Sequence, residues 1–243
     1  MTKRVVVVTG ASSGIGAATT KLLVERGAKV VIGARREERL QELATELGNN
    51  VIYRKTDVTS VADVKALMNL ALDKFGHIDA LYNNAGIMPI ANLSEDRHAE
   101  WKNMLNINVM GVLNGISAAL PVMKQQGYGH ILATDSLAGH LVMPEYAVYC
   151  GTKFAVRAIM EGLQQEEHNN GIRSTIISPG AVNTELYLSE SNEAVGKALK
   201  ESWQQPNTAL SPEDVAEAVV YAIFAPTRVN VSEIYLRPAG QLL

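Results

Sequence analysis

The sequence predicts an α/β protein, a doubly wound parallel sheet with helices on both faces. Three observations point there. Apolar, β-branched runs such as Val5-Val6-Val7-Val8, Val30-Val31-Ile32 and Thr175-Ile176-Ile177 have the length and chemistry of strands covered on both sides. These runs alternate with stretches that hold helices, the order that gives right-handed crossovers and a parallel sheet. The first run is followed at once by a glycine-rich turn and a helix. At 243 residues and 47% hydrophobic, the chain suits one domain over residues 1–243 with a substantial core. No repeat, low-complexity tract or linker divides it.

Strands are expected near 4–9, 29–34, 51–56, 79–83, 129–135, 172–178 and 231–236. Lys3 and Arg4 lead into the first, which ends in Thr9-Gly10-Ala11-Ser12-Ser13-Gly14-Ile15-Gly16 before a helix over 17–26. Gly10 can take the tight turn, Gly14 lets backbone N–H groups approach a pyrophosphate, and Gly16 lets the helix pack closely; the helix N-terminus favours the negative charge. Ala34, Arg35 and Arg36 end the second strand, and Glu37 and Glu38 read as the first turn of a helix, where acids complement the macrodipole. Asp57 ends the third strand ahead of a helix beginning near Ser60. Asn83-Asn84-Ala85-Gly86 ends the fourth, whereas Asn49-Asn50 and Asn169-Asn170 read only as turn or helix-end signals. Ser136 follows the fifth strand and Pro179-Gly180 the sixth, so the motifs gather near carboxyl ends of strands, where such sheets bind ligands.

Tyr149 and Lys153 lie four residues apart, with Ser136 thirteen residues upstream of Tyr149. On a helix that spacing sets the two side chains on one face, about 5–6 Å apart at Cβ. Phenol, ammonium and hydroxyl suit acid-catalysed carbonyl chemistry. An unperturbed tyrosine titrates near pH ~10, so acid/base work at neutral pH needs a downward shift of about three units, or roughly 4 kcal/mol. A fixed positive charge supplies much of that. Taken alone, Tyr-x-x-x-Lys is also the pattern of a surface pair on an amphipathic helix, and it is the surrounding motifs that decide.

Together these residues resemble the short-chain dehydrogenase/reductase family over essentially the whole chain. Residues 9–16 match its cofactor loop, Asn83-Asn84-Ala85-Gly86 the segment after its fourth strand, and Asn108 an Asn-x-x-Gly stretch closed by Gly111. Pro179-Gly180 with Thr184 match the stretch after its sixth strand. The resemblance implies a Rossmann-type sheet in the order 3-2-1-4-5-6-7 and a catalytic set of Asn108, Ser136, Tyr149 and Lys153. One departure is Asp135, where many members carry a serine. Neighbouring side chains on a strand point to opposite faces, so Ser136 is expected to keep its role, with the local electrostatics left open.

By the same resemblance, Gly10, Ser12, Ser13, Gly14, Ile15 and Gly16 cradle the cofactor. Asp57 and Val58 border the adenine, although Asp57 also suits a turn organiser. Asn84, Ala85 and Gly86 border the cofactor and support the central sheet, and Pro179, Gly180, Val182 and Thr184 bind it on the nicotinamide side, with Tyr149 and Lys153. Ala34 occupies the position where an acid binds the ribose of NAD, and Arg35 follows. A guanidinium holds a 2′-phosphate that an acid would repel, so the cofactor expected is NADP(H), with Arg35 as the grip, Ser13 offering a hydroxyl and Arg36 a solvated side chain. The implied reaction is reversible hydride transfer between cofactor and carbonyl carbon. Tyr149 acts as acid/base, Ser136 steadies the oxygen, Lys153 lowers the Tyr149 pKa and binds ribose, and Asn108 relays protons through a water. A substrate lid is implied around 184–206, and Met88, Leu137, Met143, Tyr146, Leu186 and Trp203 are candidate pocket residues. With no basic anchor among them, neutral, moderately apolar ketones, aldehydes and alcohols are preferred. The alternatives are an NAD-linked alcohol dehydrogenase working toward oxidation and a non-catalytic NADPH sensor.

Other classes find little support. The net charge of −3 gives no electrostatic case for nucleic acid or anionic membranes. Residues 1–8 hold too short an apolar run for a signal peptide, and no stretch approaches the ~18 apolar residues of a span, so a cytoplasmic location is expected. The single Cys150 fits a reducing compartment and reads as a small buried helix residue. His77, His98, His130, His140 and His168 show no metal spacing, and no metal is expected; most read as surface or loop residues. No Gly-x-Ser-x-Gly elbow or P-loop lysine is present. The family implies a homo-oligomer, dimer or tetramer, pairing helices near 98–125 and 147–168. Ile234, Tyr235, Leu236, Leu242 and Leu243 either pack across such an interface or finish the core.

Overall fold

Valines alternate along the first strand, and each set has its own core to enter. In the computed structural model, which describes residues 4–241, Val5 and Val7 of β1 (Val5–Thr9) pack on one side of the sheet, and Val6 and Val8 on the other. The remaining strands are β2 (Lys29–Ala34), β3 (Val51–Lys55), β4 (Ala80–Asn83), β5 (Gly129–Thr134), β6 (Ile172–Pro179) and β7 (Glu233–Leu236). All pair in parallel, in the order β3-β2-β1-β4-β5-β6-β7. Seven strand positions and their order thus agree with expectation, to within two residues at most ends.

One face of the sheet is covered by α3 (Val61–Phe75), α5 (Gly111–Gln126) and α6 (Ala147–Glu167), through residues such as Leu67, Val112 and Met160. The other is covered by α1 (Gly14–Glu25), α2 (Glu37–Leu47) and α8 (Pro212–Phe224), through Leu23, Leu40 and Val219. Burying each such side chain contributes about 1.5–3 kcal/mol before entropy is counted. Caps set several helix starts: Ser60 Oγ accepts from the Asp63 N–H at 3.2 Å, and Ser211 and Asp214 form a reciprocal box with Pro212 at the first helical position.

Three differences from expectation have local causes. Helix α1 begins at Gly14 rather than residue 17: Ser13 is extended, Gly14 turns the chain at φ +52°, and the helix runs on from there. The long helix over 98–125 is α4 (His98–Leu105) and α5 joined by a π-helical turn, Asn106–Met110, that carries Asn108. This continuous run, His98–Gln126, is long and apolar enough to cross a membrane by length and composition, contrary to the sequence reading; here Met104, Val112, Ala119 and Met123 bury themselves in the protein. At the chain end, Ile234 and Leu236 pack on the core, so they finish it, while Tyr235 stays partly exposed against His140. Leu242, Leu243 and Lys3 lie outside the described residues.

Candidate active site

The carboxyl ends of β1 and β4, where the strand order reverses, open into a cleft of about 480 Å³. Gly10 turns the chain at φ +68°, and a Cβ there would come within 2.8 Å of the Ala85 backbone. Glycine is required on both counts. Gly16 is tight for a different reason, since a Cβ would lie 2.5 Å from the Gly10 carbonyl and 2.7 Å from the Asn84 amide. The loop thus folds back on itself, with Ser12, Ser13, Gly14 and Ile15 facing the cleft and no side chain capping α1. The free N–H groups of this helix start suit a pyrophosphate.

Asn84 braces this arrangement. Its Nδ2 donates to the carbonyls of Thr9 at 3.2 Å and Gly10 at 3.3 Å, and its Oδ1 accepts from the Thr134 hydroxyl at 3.1 Å. Asn84 therefore ties β1, β4 and β5 together while it borders the cleft with Ala85 and Gly86. Asp57 and Val58 also face the cleft. Asp57 organises its turn as well, accepting from the Thr59 N–H at 2.9 Å and hydroxyl at 2.8 Å. Burial works to raise its pKa, but these bonds and the Arg35 charge outweigh it and hold the carboxyl low.

Arg36 departs from expectation. Instead of a solvated side chain, its guanidinium reaches back to the loop, donating to Ser12 Oγ at 3.2 Å and Ser13 Oγ at 2.6 Å. It also pairs with Glu185 at 2.7 Å, as Arg39 does at 2.6 Å. The start of α2 after residue 36 turns Arg36 toward the loop, and Arg35 lines the cleft beside it. Glu185 was missed by the sequence reading; its place directly after Thr184 was the available signal.

At the inner end of the cleft stand Tyr149 and Lys153, one turn apart on α6 and almost fully buried. Lys153 Nζ donates to the Thr134 carbonyl at 2.7 Å and lies over the Tyr149 ring, 5.6 Å from its centroid. This corrects the expected pKa effect. Burial pushes the Tyr149 phenol above its ordinary value, the neighbouring Ser136 hydroxyl offsets this in part, and Asp135 adds to the rise. The ammonium is aimed at Thr134 rather than at the phenol oxygen. Lys153 itself is drawn down to about 8 by burial, with Asp135 opposing. Ser136 caps the turn Leu137–Gly139 by accepting from the Ala138 N–H at 3.1 Å.

Asn108 is buried behind this group. Its Oδ1 accepts from the Ile87 N–H at 2.9 Å, and its Nδ2 donates to the Ile87 carbonyl at 2.9 Å and the Thr152 hydroxyl at 3.2 Å. Thr184 faces the glycine loop and caps the turn Glu185–Ser189. Pro179, Gly180 and Val182 stand outside the cleft lining: Pro179 pairs with Leu236, the Gly180 N–H donates to the Leu236 carbonyl, and Val182 is buried opposite Leu210.

The segment 184–206, where a lid is expected, holds that turn and α7 (Glu193–Trp203), started by Asn192. Met88, Met143, Tyr146, Leu186 and Trp203 gather in one apolar cluster with Tyr149 and Cys150, while Leu137 is buried in the turn after Ser136. Two side chains of this segment fasten to the one facing it: the Met88 N–H donates to Ser189 Oγ at 2.9 Å and the Ile90 N–H to Glu190 Oε1 at 2.7 Å. Burial raises Glu190 to about 7. Cys150 is buried as expected, but so is His130, which lies on β5 and bonds Thr175 at 2.7 Å, held well below the usual histidine value by burial.

A family model described as short chain dehydrogenase matches residues 4–194. An uncharacterized oxidoreductase of Staphylococcus saprophyticus is 48% identical over 243 residues, covering 99% of this chain and 98% of that protein. Among solved structures, the closed form of a serine dehydrogenase complexed with NADP+ matches with TM-score 0.93 and 33% identity, covering 98% of this chain and 96% of that one. A 3-ketoacyl-(acyl-carrier-protein) reductase from Brucella melitensis complexed with NADH matches with TM-score 0.86 and 29% identity, covering 96% of each. The sheet order agrees with these matches, and the chain belongs to the short chain dehydrogenase family, as an oxidoreductase of that fold.

Proposed function

We propose that the protein is an NADP(H)-dependent oxidoreductase that reduces a ketone or aldehyde to the alcohol, reversibly. The observation that carries this reading is the convergence of Tyr149, Lys153 and Ser136 at the inner end of a cleft that begins at the glycine loop. When bound, the nicotinamide supplies or accepts the hydride. The free N–H groups of α1 and residues 10–16 hold the pyrophosphate, and Asp57 and Val58 border the adenine. Tyr149 donates the proton to the carbonyl oxygen; its phenol, held neutral by burial, is in the form that reduction needs. Ser136 steadies the same oxygen as charge develops. Lys153 keeps a positive charge beside the phenol and holds the ribose, and Asn108 links it to solvent through a water. The π-helical turn at Asn108 supports that relay, since such turns gather at functional sites.

For the cofactor, Ala34 offers no carboxylate to repel a 2′-phosphate, and Arg35 and Arg36 flank its site with Ser13. One observation favours the NAD-linked reading: Glu185 already takes up Arg36 and Arg39. The apolar cluster around Tyr149 suits neutral, moderately apolar carbonyls, and Glu190 beside Tyr146 disfavours anionic ones. The same reading makes this a cytoplasmic homo-oligomer, dimer or tetramer, supported by exposed Leu105, Met110 and Phe154 on the long helices; sizing in solution tests it.

The deciding experiment follows the absorbance of NADPH and NADH at matched concentrations against aldehydes, ketones and ketoesters, with Tyr149→Phe as control. Carbonyl-dependent oxidation of NADPH well above NADH, lost in the variant, is expected. Faster turnover with NADH sinks the cofactor assignment, and no turnover with any carbonyl or alcohol sinks the enzyme.

A further inference from the structure

Asp135 follows Thr134 and precedes Ser136, and is 1% exposed. Strand alternation sends its side chain beneath the turn Leu137–Gly139, where a Cβ on Gly139 would collide with the carboxylate. Its Oδ2 lies 3.5 Å from the Ser178 hydroxyl, and its Oδ1 is buried with no hydrogen-bond partner among the described residues. A carboxylate with an unpaired buried oxygen is costly to keep, and packing alone would be served by a small neutral residue.

The surroundings indicate what the charge acts on. The titratable groups around Asp135 are Lys153, Tyr149 and Arg157 of α6, His140 after β5, and Glu233 of β7; Ser178 of β6 is neutral. Donor atoms of Asp135, His140 and Glu233 lie within 4.8 Å of one another, a grouping that sequence spacing hid. Arg157 already neutralises its outer part, 2.9 Å from both Glu233 oxygens and 3.0 Å from His140 Nε2, while Glu233 Oε1 accepts from the Ser178 hydroxyl at 2.7 Å. On the inner side, the Lys153 ammonium sits 2.7 Å from the carbonyl of Thr134, the residue next to Asp135, which brings its charge to the carboxylate.

We propose that Asp135 is a positioning residue of the active site, whose buried carboxylate, next to the strand carbonyl that Lys153 bonds, holds Lys153 as an ammonium and so keeps the positive charge of the site to higher pH. This rests on the oxidoreductase reading above for its consequence, not for its electrostatics. Burial pushes Asp135 up to about 6 and draws Lys153 down to about 8, each opposed by the other's charge.

The test is an NMR titration of the full chain with 13Cε-lysine, the Lys153 signal identified by its loss in Lys153→Arg. In the wild type that signal is expected to step near pH 6 as Asp135 ionises and to titrate near 8. In Asp135→Asn the early step disappears and the main titration falls by about one unit. A main titration unmoved in a folded Asp135→Asn overturns the proposal. Asp135→Ser is the second variant, read the same way. If neither folds, the wild-type signal decides, and absence of its early step overturns the proposal. This readout needs no cofactor or substrate, so it can succeed where the activity reading fails. With activity in hand, the high-pH limb of carbonyl reduction moves to lower pH in Asp135→Asn; a uniform loss with an unmoved limb is the mark of a merely structural residue and also overturns it.

Discussion

Lys153 of α6 donates a 2.7 Å hydrogen bond from its ammonium to the carbonyl oxygen of Thr134, the last residue of β5. The bond fixes the helix that carries Tyr149 against the strand that delivers Ser136, so two elements of the candidate active site share one anchor. Lys153→Met keeps much of the buried stem and removes the charge. We expect turnover to fall by about 10²–10⁴-fold, with thermal stability falling too, because Asp135 and the Thr134 carbonyl are left buried without their partner. Steady-state assays beside a melting curve check both.

Tyr149→Phe retains the ring in its apolar cluster and deletes the proton donor. A loss of turnover on the order of 10²–10⁴-fold is expected with NADPH binding nearly unchanged. Fluorescence titration of NADPH separates the two effects, and near-normal turnover rules out the assignment.

The Arg36 contacts with Ser12 and Ser13, and its pairing with Glu185, predict opposite effects on cofactor choice. Arg36→Ala is expected to weaken NADPH by roughly tenfold or more, the value of a charge-assisted hydrogen bond, and NADH far less. Glu185→Gln frees Arg36 and Arg39, so NADPH binds several-fold more tightly. Cofactor KM values for the two nucleotides measure both.

Gly10→Ala places a Cβ at φ +68° and 2.8 Å from the Ala85 backbone. A cost of about 1–3 kcal/mol is expected from the strained backbone, together with loss of cofactor binding as the loop shifts. Denaturant unfolding measures the first and NADPH titration the second.

Stability is expected to depend on pH through Asp135. Its folded pKa, about 6, lies above the unfolded value, so the folded state binds the extra proton between the two. The contribution is full below about pH 4 and is lost as pH rises through about 6. In Asp135→Asn this fall in stability between those pH values disappears. Melting temperatures across the range, wild type against variant, show whether the slope is removed.

The sequence by itself determined the strands, their order by resemblance, the glycine loop and the Tyr149–Lys153 pair. Those features follow from local rules: β-branched runs covered on both faces, glycines where a Cβ has no room, and a four-residue helical spacing. Only the tertiary structure decided where long side chains end. Arg36 turns back to Ser12 and Ser13 because α2 starts just after it, Glu185 meets it from 149 residues away, and Lys153 faces Thr134 rather than the Tyr149 phenol. Asp135, His140 and Glu233 meet because β5, β6 and β7 lie side by side, a relation no spacing along the chain expresses. Reach, burial and the balance of charge depend on distances between elements far apart in sequence, and only packing sets those distances.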